Sequence, residues 1–253
     1  MPTRSLTPSR MLSNSRSLSK NRELNTSHLI GKQEAIIAIT FDDGARSDYM
    51  IAYWEMEKRG MRGTSYVNTS SIGGGAKLTW LMIKNMLRDG WAVECHTHTH
   101  ARLTDLTEQQ IRDELEAVDT EFAAQGLDVP EHHAYPYLSH DATVRSVVAE
   151  YRDTARRGGA GLQGYNDIDY TQMTAKAAYL EVDADLDVIK GIIDTAVAED
   201  KILILYTHSI HDSVFPSGGC LTHLFVEMLE YIKNKRVRVV TIPQLYDYVE
   251  ALV

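Results

Sequence analysis

The chain has 253 residues, of which 43% are hydrophobic and 24% charged, and its formal net charge is −9. This length suits one large α/β domain, and no apolar run approaches the roughly 18 residues of a membrane span. The negative charge argues against a nucleic-acid partner held through phosphate contacts. We therefore expect a globular protein with neither nucleic acid nor membrane as its partner.

The N-terminal segment differs from the rest of the chain in composition. Residues 1–32 contain six Lys or Arg and one acidic residue, a charge of +5, so the remainder carries −14. The segment is rich in Ser and Arg and lacks the apolar core of a secretory signal, although an organellar transit peptide has a similar composition. We predict a non-globular basic arm over residues 1–33. Such an arm would bind a protein partner in a larger assembly such as a virion, so the compartment is left open between the cytoplasm and an assembly of that kind.

After the arm, strand and helix patterns alternate along the chain. Strand-like apolar runs cover residues 35–41, 63–69, 91–97, 132–137, 151–157, 176–182, 201–207 and 236–242. Helix patterns cover residues 47–60, 79–90, 107–126, 185–200, 221–235 and 243–252. The third of these opens on a Thr107–Gln110 capping box.

This alternation is typical of parallel βαβ units. Seven or eight such units close most naturally into a (β/α) barrel, with an open doubly wound sheet as the alternative. In both architectures ligands bind at the carboxyl ends of the strands. The two cysteines, Cys95 and Cys220, form no recognisable disulfide framework, and we expect each to be a small buried side chain.

Polar side chains with catalytic or metal-binding chemistry collect at four of these strand ends. They are Asp42 and Asp43 after the first strand, His96, His98 and His100 after the third, Tyr137 after the fourth, and His208 after the strand at 201–207. Burying a carboxylate without a partner is costly, so an adjacent acidic pair at the end of an apolar strand needs a cation or solvent. The pattern predicts a metal site.

The three histidines constrain the geometry of that site. In an extended strand His96 and His100 would lie about 13 Å apart, whereas Zn–N bonds are only about 2.0–2.1 Å long. The two can share a metal only if the chain turns between them, while His98 could pair with either neighbour in an extended geometry. Nitrogen and oxygen ligands without thiolate suit Zn²⁺, with Co²⁺, Ni²⁺ or Fe²⁺ as alternatives. Three protein ligands would leave a position open for water, as in catalytic sites.

The ordered motifs resemble those of the polysaccharide deacetylases with NodB homology, carbohydrate esterase family 4. They are "TFDDG" at 40–44, His-Thr-x-x-His at 96–100, Tyr-Pro-Tyr at 135–137 and Leu-x-x-His at 205–208. The resemblance covers about residues 35–250 and implies a distorted (β/α) barrel as the catalytic domain, residues 34–253. It also implies a hydrolase that removes N- or O-linked acetyl groups from a carbohydrate polymer, with a metal-bound water as nucleophile.

The resemblance assigns roles to single residues. Asp42 matches the catalytic base and His208 the general acid. The metal ligands would be Asp43, His96 and His100, which leaves His98 without a family role. Tyr137 matches the residue whose backbone N–H helps hold the oxyanion, and Leu205 matches the apolar wall against the acetyl methyl group.

The sequence departs from the family pattern in two places. Ala134 stands where the family often has an arginine that orients the catalytic aspartate, and Arg156 or Arg157 is the candidate to replace that charge. The Asp-x-x-Asp-Trp segment that orients the histidine has no clear match; the nearest acidic stretch is "YNDIDY" at 165–170.

Two other classes of function stay open at this stage. The same fold family includes hydrolases of other C–N bonds, which act on allantoin or cyclic imides. Those members tend to lack one of the two acids of the motif, whereas Asp42 and Asp43 are both present. The second of these classes is an inactive glycan-binding or structural module, which the missing arginine and the predicted arm favour.

Overall fold

The computed structural model describes residues 34–213 and 218–252. The basic arm predicted over residues 1–33 lies outside these ranges, so its anchoring role stays a prediction. Within them, no helix is long and apolar enough to cross a membrane.

A closed barrel of seven parallel strands forms the centre of the described chain, in the order β1-β2-β3-β4-β5-β7-β8 and back to β1. The strands are β1 (Ile36–Phe41), β2 (Thr64–Val67), β3 (Ala92–Cys95), β4 (His132–Ala134), β5 (Thr154–Gly158), β7 (Met173–Ala177) and β8 (Ile202–Thr207). The predicted (β/α) barrel is confirmed.

Four shorter strands complete the sheet structure. They are β6 (Leu162–Gln163), β9 (Ile210–His211), β10 (Cys220–Leu221) and β11 (Arg238–Val240). β11 pairs in parallel with the first half of β1, and β6 runs antiparallel to the start of β8. These additions lie where β1 and β8 are not covered by their barrel neighbours, so the barrel is distorted rather than regular.

β1 pairs with β8 over its whole length, from Ile36 opposite Ile202 to Phe41 opposite Thr207. All residues of both strands are buried. Strands covered on two faces have continuous apolar sequences. β1 and β8 could therefore be predicted from the sequence. The hydroxyl of Thr40 donates to the carbonyl of Leu205 at 2.9 Å, so the one polar side chain of β1 is satisfied inside the sheet.

Helices cover the outside of the barrel. A π-helix (Asp48–Tyr53) runs directly into α1 (Trp54–Glu57), and the others are α2 (Trp80–Arg88), α3 (Glu108–Ala124), α4 (Ala142–Tyr151), α5 (Asp183–Ala198), α6 (Thr222–Lys235) and α7 (Ile242–Glu250). The capping box predicted at Thr107 is present, with reciprocal bonds between Thr107 and Gln110.

The structure differs from the sequence prediction in three elements. The helix predicted over 47–60 is π-helical in its first half. α4 was not predicted, because its valines resemble a strand; Asp141 caps it by accepting the N–H of Val144 at 2.8 Å. The strand predicted at 176–182 lies earlier, at Met173–Ala177.

The hydrophobic core lies between the barrel strands and the helices. Phe41 on β1 stacks on Trp91 with ring centroids 5.7 Å apart and meets Phe225 of α6 edge-on at 6.0 Å. Gly63 lies beneath this cluster, where a Cβ atom would come within 2.8 Å of the Trp91 ring. Cys95 and Cys220 are buried and unpaired, as predicted.

Candidate metal and catalytic site

The site is built at the carboxyl end of the barrel, beginning with the turn that follows β1. Asp42 is held by its backbone, whose N–H donates to the carbonyl of Thr207 at 2.9 Å. Asp43 then takes a left-handed conformation with φ 69°. Gly44 follows at φ 59°, and a Cβ atom there would lie 2.9 Å from Val67. The glycine of "TFDDG" therefore lets the chain turn sharply against β2 and present both carboxylates.

Asp43, His96 and His100 come together as predicted. The Asp43 Oδ1 atom lies 3.4 Å from Nε2 of His96 and 3.2 Å from Nε2 of His100. One ligand atom from each residue lies within 4.8 Å of the other two. The turn required between the two histidines is made by Thr97 and His100, whose φ angles are 67° and 63°.

The orientation of the His96 ring is fixed by its surroundings. Its Nδ1 lies 2.8 Å from the carbonyl of Ala134, and Asn68 donates to the His96 carbonyl at 2.6 Å. Because a carbonyl only accepts, Nδ1 carries the proton and Nε2 presents its lone pair toward Asp43. This is the arrangement in which a histidine ligates a metal through one nitrogen and is oriented through the other.

The donor set fits a divalent cation. Oδ1 of Asp43 is buried and accepts no hydrogen bond from the described residues, although two imidazole nitrogens face it. Burial raises the pKa of Asp43, but the proximity of His100 and His96 outweighs it and holds the pKa of this carboxyl well below its usual range. An ionised oxygen without a hydrogen-bond donor, beside two imidazoles, is a site for a borderline cation such as Zn²⁺.

Asp42 pairs with Arg156, a residue the sequence marked as one of two candidates to replace the missing arginine. The guanidinium of Arg156 contacts Asp42 Oδ1 through Nη2, and both side chains are buried. Arg156 also lies between the rings of Tyr66 and Tyr206, 4.9 Å from each centroid. Arg157 points elsewhere and donates to the carbonyl of Gly158.

Arg156 occupies a position that mirrors the family's arginine. Ala134 on β4 is the direct register partner of Arg156 on β5. The positive charge therefore comes from the neighbouring strand at the same height of the barrel.

His208 lies beyond the end of β8, with aromatic neighbours. Its Nδ1 lies 3.0 Å from the carbonyl of Gly218, which makes Nδ1 the protonated nitrogen. The rings of Tyr179 and Tyr206 lie 5.6 and 6.3 Å from its own. A backbone carbonyl thus orients His208 where the family uses a carboxylate. Asp169, in the acidic stretch noted in the sequence, accepts instead from its neighbours Thr171 and Gln172.

Tyr137 forms the rim above the metal ligands. Its backbone is left-handed, with φ 56°, and its ring is 55% exposed. The ring centroid lies 4.6 Å from that of His100, and the guanidinium of Arg102 lies over the ring, 4.5 Å from its centroid. Non-glycine residues held in this backbone region are strained and cluster at functional sites.

Leu205 lies in the core and has no side-chain contact with Asp42 or the triad among the described residues. It is fully buried in the hydrophobic cluster that includes Leu203. Successive residues of a strand point to opposite faces, and the next residue, Tyr206, contacts Arg156 inside the barrel. The role of Leu205 against the acetyl methyl group stays a prediction, and Tyr206 is the neighbouring β8 side chain that contacts Arg156.

A further acid beside the site was not recognised from the sequence. Asp48, in the π-helix, is fully buried and accepts from the hydroxyl of Ser65 at 2.7 Å. Burial raises the pKa of its carboxyl well above the usual range. In the sequence it resembles an ordinary acidic residue in the first turn of a helix, so no pattern marked it.

Comparisons with known proteins find a matching family model and similar chains. The polysaccharide deacetylase family model matches residues 30–154. A chitin deacetylase of Arthroderma benhamiae is 26% identical over 209 residues, which is 81% of this chain and 50% of the relative. A bifunctional xylanase/deacetylase of Pseudobutyrivibrio xylanivorans is 21% identical over 88% of this chain and 32% of the relative. The chain spans half or less of the length of the curated relatives it matches.

Solved structures show the same fold. The chitin deacetylase of Colletotrichum lindemuthianum matches with a TM-score of 0.62 at 19% identity, over 84% of this chain and 88% of that one. The carbohydrate esterase domain of a xylanase from the hindgut metagenome of Trinervitermes trinervoides matches with a TM-score of 0.56 at 21% identity, over 85% and 90%. With the motifs in place on this barrel, residues 30–154 carry a polysaccharide deacetylase domain of the carbohydrate esterase family 4 type.

Proposed function

We propose that the chain is a metal-dependent hydrolase that removes N- or O-linked acetyl groups from a carbohydrate polymer. One observation carries the proposal: an Asp-His-His triad with ligand atoms within 4.8 Å of one another lies beside a second, arginine-paired carboxylate. The triad supplies a cation site and the second carboxylate supplies a base. Metal-assisted hydrolysis of an acetyl group combines both functions at one place.

The metal would be held by Asp43, His96 and His100. A divalent cation bound there would polarise the acetyl carbonyl and acidify a water molecule. The nitrogen and oxygen ligands favour Zn²⁺, with Co²⁺, Ni²⁺ or Fe²⁺ as alternatives. His96 contributes a fixed Nε2 because its Nδ1 is held by the Ala134 carbonyl.

Asp42 would act as the general base. Arg156 engages its Oδ1, so Oδ2 is the oxygen that would accept a proton from the attacking water. The water oxygen then bonds to the acetyl carbon, and the carbonyl oxygen takes up the negative charge. The backbone N–H of Tyr137 would stabilise that charge.

His208 would complete the reaction as the general acid. Its Nδ1 proton is committed to the Gly218 carbonyl, so Nε2 would carry the transferable proton. When the C–N or C–O bond of the acetyl group breaks, this proton passes to the leaving amine or hydroxyl. The products are acetate and the free sugar amine or alcohol.

The substrate class follows from the relatives. Those named above are described as a chitin deacetylase and a bifunctional xylanase/deacetylase. We infer an acetylated polysaccharide as substrate, and the test must include both linkages.

Acetate release from chitooligosaccharides and from acetylated xylan tests the proposal. Wild-type protein loaded with zinc is compared with Asp42→Asn, with metal content measured in both. Acetate from wild type alone, with equal metal in both proteins, supports the deacetylase with Asp42 as base. If a fully metal-loaded wild type releases no acetate from any glycan, the proposal fails. Allantoin and cyclic imides then test the alternative hydrolase of C–N bonds. Inactivity on these substrates as well would favour the inactive glycan-binding or structural module.

A further inference from the structure

His98, the middle histidine of the motif, has no place among the metal ligands. Its Nδ1 lies 2.8 Å from the hydroxyl of Thr69, which directs the ring toward the short 3₁₀-helix Thr69–Ser71. Its carbonyl accepts from the N–H of Ser70 at 3.0 Å. Both the side chain and the backbone of His98 are therefore tied to the segment that follows β2.

Glu114 of α3 binds the backbone of His98 and Thr99. Its Oε2 accepts the backbone N–H groups of His98 and Thr99, at 2.9 and 2.8 Å. Its Oε1 accepts the hydroxyl of Thr99 at 2.6 Å. One carboxylate thus receives three hydrogen bonds from two consecutive residues, and hydrogen bonds to ionised acceptors are stronger than those between neutral groups.

These hydrogen bonds stabilise the turn between His96 and His100. The His96 and His100 rings lie 5.0 Å apart between centroids, whereas an extended chain would separate the residues by about 13 Å. The turn that brings them together places Thr97 and His100 in the left-handed region, which is unfavourable for residues with a side chain. Without contacts that favour it, the segment would relax and separate the two ligands.

We propose that Glu114 and His98 are positioning residues that hold the 96–100 segment in its metal-binding conformation, with His98 acting as an anchor rather than a ligand. The inference rests on the proposed metal site. It explains why three histidines occur in five residues although only two join the triad with Asp43.

Zinc affinity, measured by competition with a chromophoric chelator and without substrate, tests this role. Glu114→Ala is compared with Glu114→Gln, which keeps an oxygen acceptor, and with His98→Ala. Asp113→Ala is the matched control, because Asp113 neighbours Glu114 on α3 and accepts from Gln109 instead of the loop. Thermal unfolding of each metal-free protein shows whether the fold is retained.

We expect Glu114→Ala to weaken zinc binding about 10- to 100-fold, the usual effect of removing an outer partner of a metal site. Glu114→Gln should recover part of this loss, and Asp113→Ala should bind as wild type. His98→Ala should bind zinc measurably, unlike His96→Ala. Wild-type affinity in Glu114→Ala, or loss of binding in His98→Ala equal to that in His96→Ala, would overturn the proposal.

The same measurement separates this inference from the proposed function. Wild-type protein that takes up no divalent metal would overturn both. Zinc uptake that is insensitive to Glu114 would overturn only the positioning role, and zinc uptake without acetate release would leave the positioning role standing.

Discussion

The buried ion pair between Asp42 and Arg156 lends itself to a quantitative test that needs no substrate. Asp42 is 2% exposed and Arg156 is fully buried, so replacing Arg156 by Leu leaves a carboxylate with neither solvent nor counter-charge. Removing one partner of a buried pair costs about 3–5 kcal/mol of unfolding free energy. Asp42→Asn removes the charge that Arg156 balances, so it too should destabilise the fold.

The double variant distinguishes pairing from packing. The double variant Arg156→Leu with Asp42→Asn contains no uncompensated charge. We therefore expect its loss of unfolding free energy to be about 2–4 kcal/mol smaller than the sum of the losses in the two single variants. Urea unfolding of the metal-free proteins gives these values by linear extrapolation. Arg157→Leu, one residue along, is the control. Additive single effects, or a cost below about 1 kcal/mol for Arg156→Leu, would refute the argument that the pair is electrostatically coupled.

The register between β4 and β5 adds a prediction about activity. Arg156→Ala should lower kcat about 100-fold, the cost of a misplacement of ~1 Å at the reacting group. Because Ala134 faces Arg156 across the two strands, Ala134→Arg introduced into Arg156→Ala should restore part of kcat. No recovery in a folded, metal-loaded double variant would show that the charge works only from β5.

Three further predictions concern metal, pH and packing. Zinc at 100 times its Kd should raise the unfolding free energy by about 2.7 kcal/mol, and Asp43→Ala should abolish this increase in a thermal melt. Burial and the nearby Arg152 charge lower the pKa of His132 to about 3, so the fold keeps this side chain neutral. Because the unfolded chain binds a proton at this histidine below about pH 6.5, the unfolding free energy should fall as the pH drops from about 6.5 toward 3. This group alone should contribute about 1.4 kcal/mol per pH unit. His132→Asn should show a shallower decline in urea midpoint over that range, and an unchanged slope would contradict this assignment. Gly63→Ala should cost about 1–3 kcal/mol because its Cβ would meet Trp91 at 2.8 Å; an unchanged urea midpoint would mean that the ring moves aside freely.

The sequence predicted the parts of the fold that depend on short-range patterns. β1 and β8 are continuous apolar runs, and α3 carries a capping box, so all three were placed within a residue or two. α4 was missed because its valines carry a strand-like signal, although its packing against α3 overrides that preference. A π-helical turn between residues 48 and 53 has no sequence signature of its own.

Only the site residues that belong to short sequence motifs could be predicted. The grouping of Asp43, His96 and His100 followed from the family resemblance, since spacing alone left His98 as an alternative ligand, and the structure brings the three together. A short motif does not specify the face of the strand to which a residue points; the motif named Leu205, whereas the neighbouring Tyr206 contacts Arg156. Contacts such as that of Arg156 with Asp42 join residues 114 positions apart, so the sequence named Arg156 and Arg157 as candidates but could not decide between them.

The pairing of β1 with β8 has a consequence for how the protein folds. Residues 36–41 are synthesised early, yet their partners at 202–207 follow some four-fifths of the way along the chain. Contacts between such distant segments slow folding, because a long loop must be ordered before they form. The bond from the Asp42 N–H to Thr207 is one of these late contacts. A nascent chain can bring Asp43 near His96 well before Asp42 is fixed, so we expect metal-binding capacity to arise earlier in folding than catalytic competence.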